Sequence, residues 1–329
     1  MKNTNQITTE EFTQEIRNRN VSFLSRAITL IESTNNEHQK KASKILDQCL
    51  QYSNKSIRIG ITGVPGVGKS TFIEVFGKHL TSLGKRVAVL AVDPSSQINK
   101  GSILGDKTRM NELALDKKAF IRPSPSGDTL GGVTRKTRET ITLCEAAGFD
   151  IIIVETVGVG QSEVAVHAMV DFFLLLKLSN AGDELQGIKR GIIEMADAII
   201  INKADSGNEN QAELAKKEFE NALHLYPIKE STWLPTVSLC SARDNMGIGA
   251  VYEIIEKYLI LTKKNGYFYQ KRKEQNRNWF FDVINYGLKK QFYANEKIKI
   301  ALENYLKKVE KQNLNAYSAA QEILKLNNK

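Results

Sequence analysis

The sequence predicts an α/β protein with a mainly parallel sheet flanked by helices, extended by helical segments at both ends. Three observations carry this. Seven short apolar, β-rich runs alternate with amphipathic stretches from Ile57 to about Thr262. The residues before them show only helical periodicity, and after Thr262 the strand-like runs stop while helical spacing resumes. Continuous apolar strands separated by helices mean a parallel sheet covered on both faces, because each crossover lays a helix against it.

The elements follow in order. Residues 1–52 form an N-terminal helical extension: Thr8 followed by Glu11 has the spacing of a capping box, and Phe23, Leu24, Ala27, Ile28 and Ile31 make one apolar stripe. Residues 53–262 form the core domain, with the runs IRIGIT, RVAVLAV, AFIRP, IIIVE, FFLLLKL, AIIIN and LPTVS. In residues 263–329, Trp279, Val283, Ile284, Leu288 and Phe292 mark one helix, and Ile298, Leu302, Leu306 and Val309 another.

Composition narrows the class. The chain has 329 residues, 41% hydrophobic and 25% charged, which suits one main soluble domain with smaller additions. No apolar run approaches the roughly 20 residues that span a bilayer. The segment Met1 to Glu11 is polar and unlike a signal peptide, so a cytoplasmic location with no membrane partner is expected. Cys49, Cys144 and Cys240 are far apart and lack CxxC spacing, which points to buried thiols rather than a disulfide framework or a zinc site. The net charge is +9, and the stretch from Lys263 onward holds all of the excess, with 15 Lys and Arg against 6 Asp and Glu. That stretch is helical in pattern and carries no nucleic-acid motif, so it reads as a solvated helical face.

Gly63-Val64-Pro65-Gly66-Val67-Gly68-Lys69-Ser70 is a full GxxxxGK[ST] sequence, set between IRIGIT and a helix-like stretch that begins at Thr71. Strand, glycine loop and helix are the context of a P-loop NTPase. Backbone N–H groups there converge on phosphate oxygens, Lys69 reaches the β and γ phosphates, and Ser70 ligates magnesium. The base is set by Asn202-Lys203-Ala204-Asp205 at the end of AIIIN, followed after the next strand by Ser241-Ala242-Arg243. An aspartate can accept from N1 and N2 of guanine, whereas adenine offers no such pair, so GTP is expected over ATP. Two strand ends carry acids, Asp93 after RVAVLAV and Glu155 at the end of IIIVE. Glu155-x-x-Gly158 stands where small GTPases have DxxG, and it keeps a carboxylate able to contact metal. Asp93 alone reads equally as a metal ligand or as the cap of a turn with Pro94 and Ser95.

The set Val-Asp93-Pro-Ser-Ser96, Gly101 to Arg109, Gly131-Gly-Val133, Glu155 to Gln161 and Gly182 to Lys189 resembles the MeaB/ArgK family of GTPases. The similarity also reaches SFLSRAITLIES and the Arg277-Asn-Trp279 region. It implies a G-protein chaperone that gates cofactor delivery to an adenosylcobalamin-dependent acyl-CoA mutase, chiefly methylmalonyl-CoA mutase, and protects that enzyme. It implies further that Ser70, Asp93, Asp106 and Glu155 form a magnesium shell and that Asp183, Gln186 and Lys189 lie on a switch loop. The helical tail would form a homodimer. The family usually has proline and glycine before Ala181, where this chain has Ser179 and Asn180.

The expected reaction is in-line attack of water on the γ phosphate, catalysed by positioning and by the charge of Lys69 and magnesium. Glu155 and Gln161 are the other catalytic candidates; Gln161 either orients the water or is an ordinary polar loop residue. Two other classes stand beside this reading. A metal-delivery maturation GTPase would carry a Cys or His cluster, whereas His38, His79, His167 and His224 are scattered singly. A kinase would transfer the phosphate to a protein or small molecule.

Overall fold

The computed structural model describes residues 7–53, 55–92, 110–123, 130–156, 162–179, 190–205 and 207–326. Seven strands, β1 (Ile57–Gly63), β2 (Val87–Val92), β3 (Ala119–Arg122), β4 (Ile151–Thr156), β5 (Phe172–Leu178), β6 (Ala198–Asn202) and β7 (Thr236–Leu239), form one sheet. Their order is β3-β2-β4-β1-β5-β6-β7, and every pair is parallel.

The strands are apolar throughout because both faces are buried. Ile151 and Ile153 of β4 face a core with the helices Lys69–Ser82 and Ile248–Lys264, whereas Ile152 and Val154 face a core with the helix Leu130–Ala146 and the N-terminal helices. Period-two alternation is present in space but hidden in the sequence, since both sets are isoleucine and valine. A third core forms where Ile199 and Ile201 of β6 meet Ala212, Ala215 and Phe219.

The helices Thr9–Arg17, Val21–Glu32 and Asn36–Leu50 precede the sheet. Thr8 Oγ1 accepts from Glu11 N at 3.1 Å, one half of the predicted capping box. Leu24, Ala27, Ile28 and Ile31 are buried as the stripe requires, in the core they share with β2 and β4. All three cysteines are free and buried, in accord with the sequence reading.

The chain divides into two units, Met1–Lys273 and Glu274–Lys329. Within the second, the helices Glu296–Glu310 and Ala316–Leu326 are capped by Asn295, which accepts from Lys297 N at 3.0 Å, and by Asn315, which accepts from Tyr317 N at 2.8 Å. Ile298, Ala319 and Ile323 are buried, whereas Phe280, Phe281 and Leu288 are exposed. Among the described residues no helix is long and apolar enough to cross a membrane.

A buried ionic network closes the amino edge of the sheet in the first unit. Asp171 accepts from Arg272 Nε at 2.8 Å and Nη2 at 2.6 Å, and from Arg58 N at 2.8 Å. Arg58 reaches both oxygens of Glu145, at 2.9 and 3.0 Å, and Ser56 Oγ donates to the same carboxylate at 2.6 Å. Burial alone would raise the Asp171 carboxyl, but the hydrogen bond and charge of Arg272, helped by Arg58, hold it below its ordinary value.

Two outcomes follow. Asp171→Asn leaves the Arg272 guanidinium buried without its counter-charge, and urea unfolding should show a loss of about 3 kcal/mol. Because the folded pKa of Asp171 lies below the unfolded one, its contribution is present above about pH 4 and is lost as the pH falls through the folded value. The wild-type chain should therefore lose more stability than Asp171→Asn as the pH is taken below about 4.

Candidate functional site

β1 ends at Gly63, and the helix Lys69–Ser82 begins after five intervening residues. Its N-cap, Gly68, sits at φ 92°, and no side chain caps the first turn. A Cβ on Gly68 would lie 2.8 Å from Asn202 Nδ2, and one on Gly63 would lie 2.6 Å from Leu176 O. Both positions therefore require glycine, for space as well as for backbone angle. The uncapped helix start leaves N–H donors available together with the positive end of the helix dipole, which suits an anion. Thr71, in the first turn, is exposed.

Lys69 is only 8% exposed. Its Nζ donates to Gly63 O at 2.7 Å and Val64 O at 3.3 Å, which holds the ammonium beside the loop. Burial lowers its pKa, and the charges of Glu155 and Glu163 oppose that. Glu155 sits one residue before the end of β4, buried, and Ser70 Oγ donates to its Oε1 at 3.4 Å. Beside it, Thr156 Oγ1 donates to Thr62 Oγ1 at 2.8 Å and ties the ends of β4 and β1 together.

Glu163 was not singled out by sequence. It lies on the short helix Ser162–His167, is 3% exposed, and its Oε2 has no hydrogen-bond partner among the described residues. The available signal was an acid in the otherwise apolar stretch that follows the Glu155 motif.

The Asn202–Asp205 segment meets the same loop. Asn202, the last residue of β6, donates from Nδ2 to Val67 O at 2.8 Å, and its Oδ1 accepts from Ala242 N and from Cys240 Sγ, both at 3.3 Å. Lys203 Nζ donates to Gly66 O at 2.9 Å. Asp205 is buried, accepts from Ser241 Oγ, and pairs with Arg243 at 3.1 Å. Ser241 Oγ in turn accepts from Asp244 N at 3.1 Å.

The described residues thus bring Gly63 to Ser70, Glu155, Asn202, Lys203, Asp205 and Ser241 to Arg243 to one edge of the sheet. Asp93, Asp106, Gln161, Asp183, Gln186 and Lys189 lie outside the described residues. Among the described residues no three His, Cys, Asp or Glu side chains gather as a metal-binding group. Ser70 and Glu155 nonetheless offer a hydroxyl and a carboxylate together beside the loop, the hard oxygen donors that magnesium prefers.

Residues 24–297 match the family described as methylmalonyl Co-A mutase-associated GTPase MeaB. The chain is 44% identical over 292 residues to GTPase ArgK of Escherichia coli K12, covering 89% of this chain and 88% of that protein. It is 44% identical over 312 residues to the mitochondrial methylmalonic aciduria type A homolog of Mus musculus, covering 92% and 75%. A solved structure described as LAO/AO transport system kinase superposes at a TM-score of 0.79, with 35% identity and full coverage of both chains.

Asn202→Ala leaves Val67 O and Ala242 N without their buried partner. Urea unfolding should show a loss of about 2 kcal/mol. Lys203→Ala, whose bond to Gly66 is exposed, should cost about 0.5 kcal/mol or less.

Proposed function

The chain belongs to the MeaB/ArgK family of GTPases, and from that premise we propose that it binds and hydrolyses GTP as a switch serving an adenosylcobalamin-dependent acyl-CoA mutase. In this reading it gates cofactor loading and protects the mutase, which is of the methylmalonyl-CoA mutase type. One observation carries the nucleotide half of the proposal: Asn202 joins the loop of Gly63 to Ser70 directly to the segment bearing Asp205. A phosphate-holding loop and a buried acceptor for a base are thereby fixed relative to each other. The family description and the name of the mouse relative support the mutase half.

In the proposed reaction the loop amides and Lys69 hold the β and γ phosphates. Asp205 accepts from N1 and N2 of guanine, with Ser241 and Arg243 setting the orientation of its carboxylate. Ser70 and Glu155 would hold magnesium, which supplies positive charge to the phosphates when bound. A water oxygen bonds to the γ phosphorus as the bond to the β–γ bridging oxygen breaks, releasing GDP and phosphate. The chain's contribution is positioning and charge. Asp93, Asp106 and Gln161 belong to this proposal through the family resemblance, as do Asp183, Gln186 and Lys189 as switch residues. Slow turnover raised by the mutase is the expected behaviour.

The second unit supports a homodimer, because Phe280 at 62%, Phe281 at 51% and Leu288 at 59% exposure leave large apolar side chains for a second copy. Light scattering should give twice the chain mass; a monomer at working concentration would remove this part. A kinase reading has one observation in its favour, the description of the solved relative as a transport system kinase. Labelled γ phosphate settles it, since a kinase transfers label to an acceptor and the proposed GTPase releases it as free phosphate.

Lys69→Ala should lower the GTP hydrolysis rate at least about a hundredfold, as expected for loss of a preorganised charge at the reacting phosphate. Asp205→Asn presents an N–H donor where guanine needs an acceptor. It should weaken GTP binding by about a hundredfold or more, and should favour xanthosine triphosphate, whose 2-position is an oxygen acceptor. The mutase half is tested by co-purification with adenosylcobalamin-dependent acyl-CoA mutases in GDP and in a non-hydrolysable GTP analogue, then by assay of the complex. Nucleotide-dependent association and faster hydrolysis are expected; an indifferent mutase would sink the chaperone reading and leave the GTPase reading standing.

A further inference from the structure

The opposite edge of the sheet carries a second concavity. Segments just before β6 and β7, with the start of the helix Tyr267–Ala294, enclose a cavity of about 570 Å³, within the range of small-molecule sites. Much of its wall is apolar or aromatic, from Ile193, Met195, Leu223, Tyr226 and Trp233.

The polar groups in this wall divide into engaged and available ones. Lys229 uses all three donors, on Met195 O at 3.2 Å, Ala196 O at 2.7 Å and Asp197 Oδ1 at 3.1 Å. Asp197 is equally committed: Oδ2 accepts from Phe173 N at 2.9 Å, and its carbonyl accepts from Trp233 Nε1 at 2.8 Å. Lys271 differs. Its Nζ makes one hydrogen bond among the described residues, to Asp171 O at 2.8 Å, so two ammonium donors have no protein acceptor there.

His167 stands in the same wall. Its ring packs edge-on against Phe173 at 5.4 Å and makes no hydrogen bond among the described residues. Burial, then the neighbouring charge of Lys271, hold its pKa down at about 4, so the imidazole is neutral at pH 7 and offers one N–H.

We propose that this cavity binds an amphipathic carboxylate, a monoanion with an apolar body, whose carboxylate accepts from Lys271 and His167 while the body lies along Leu223, Tyr226 and Trp233. A single cation with unused donors matches a single negative charge. A dianion such as a phosphate ester is disfavoured, because Lys229 is already committed and the exposed Glu194 and Glu230 also line the cavity. The site is separate from the nucleotide loop and does not depend on the GTPase reading.

Trp233 provides the readout, since the chain has 2 tryptophans and Trp279→Phe leaves Trp233 alone to fluoresce. The full-length Trp279→Phe chain is titrated with sodium decanoate and decyltrimethylammonium below their micellar concentrations, and with decanol below its solubility limit. A saturable change in Trp233 emission is expected with decanoate, and the alcohol and the cation should bind at least about tenfold more weakly. Lys271→Met and His167→Phe should each weaken decanoate by about tenfold or more, with melting curves recorded to confirm folding. If Lys271→Met does not fold, His167→Phe decides. The proposal is overturned by no saturable response to decanoate, by equal affinity for decanol, or by full affinity in the folded variants.

Discussion

The buried side-chain amide of Asn202 is the tie on which the carboxyl edge of the sheet depends. In a parallel sheet, loops leaving neighbouring strand ends have no ladder to hold them, so side chains must supply the missing hydrogen bonds. Asn202 has a donor and an acceptor on one planar group and uses both, on Val67 O and on Ala242 N. Alanine would leave both backbone groups unpaired, and aspartate would place a negative oxygen against the Val67 carbonyl. Gly68 belongs to the same constraint, because any Cβ there would press on the Asn202 amide. Two motifs far apart in sequence are thus one packed unit.

The two ends of the sheet are built differently. At the carboxyl end, strand ends are tied by neutral amide and hydroxyl bonds, such as those from Asn202 to Val67 and from Thr156 to Thr62, beside one exposed Arg243 paired with Asp205. At the amino end, Asp171, Arg272, Arg58 and Glu145 form a closed ionic set with Ser56. Full charges buried together contribute little net stability but are costly to mismatch, so they fix register more than they add free energy. Arg272 also donates to Ser56 O at 2.7 Å, which secures the start of the helix Tyr267–Ala294 against the residues that lead into β1.

Much of the fold was legible because the strands are unbroken apolar runs and the breakers fall where they must. In LPTVS the strand starts only at Thr236, because Pro235 cannot donate to a ladder, and it runs on to Leu239. The glycine loop was legible for the same local reason: the whole GxxxxGK[ST] spacing lies within eight residues, directly between a strand-like run and a helix-like one. The Asp171 to Arg272 pair was not, since its members are 101 residues apart and neither sits in a motif. Glu163 escaped because one acid in a helix reads as solvated unless the packing around it is known. The apolar positions Val283, Ile284 and Leu288 do lie on a helix, but they are exposed within this chain. Helical periodicity reports that a face exists and not what covers it.

Charge balance around Lys69 bears on the divalent cation. One ammonium sits with two buried carboxylates, Glu155 and Glu163, whose charges both act on it. A triphosphate adds several negative charges beside those carboxylates. In a site shielded from water such repulsion is screened far less than at the surface. The loop amides and the helix dipole offset only a fraction of an elementary charge. A site of this composition therefore accepts a triphosphate far better with a divalent cation than without one. This is the physical reason to assign Ser70 and Glu155, rather than Lys69 alone, to the proposed magnesium site.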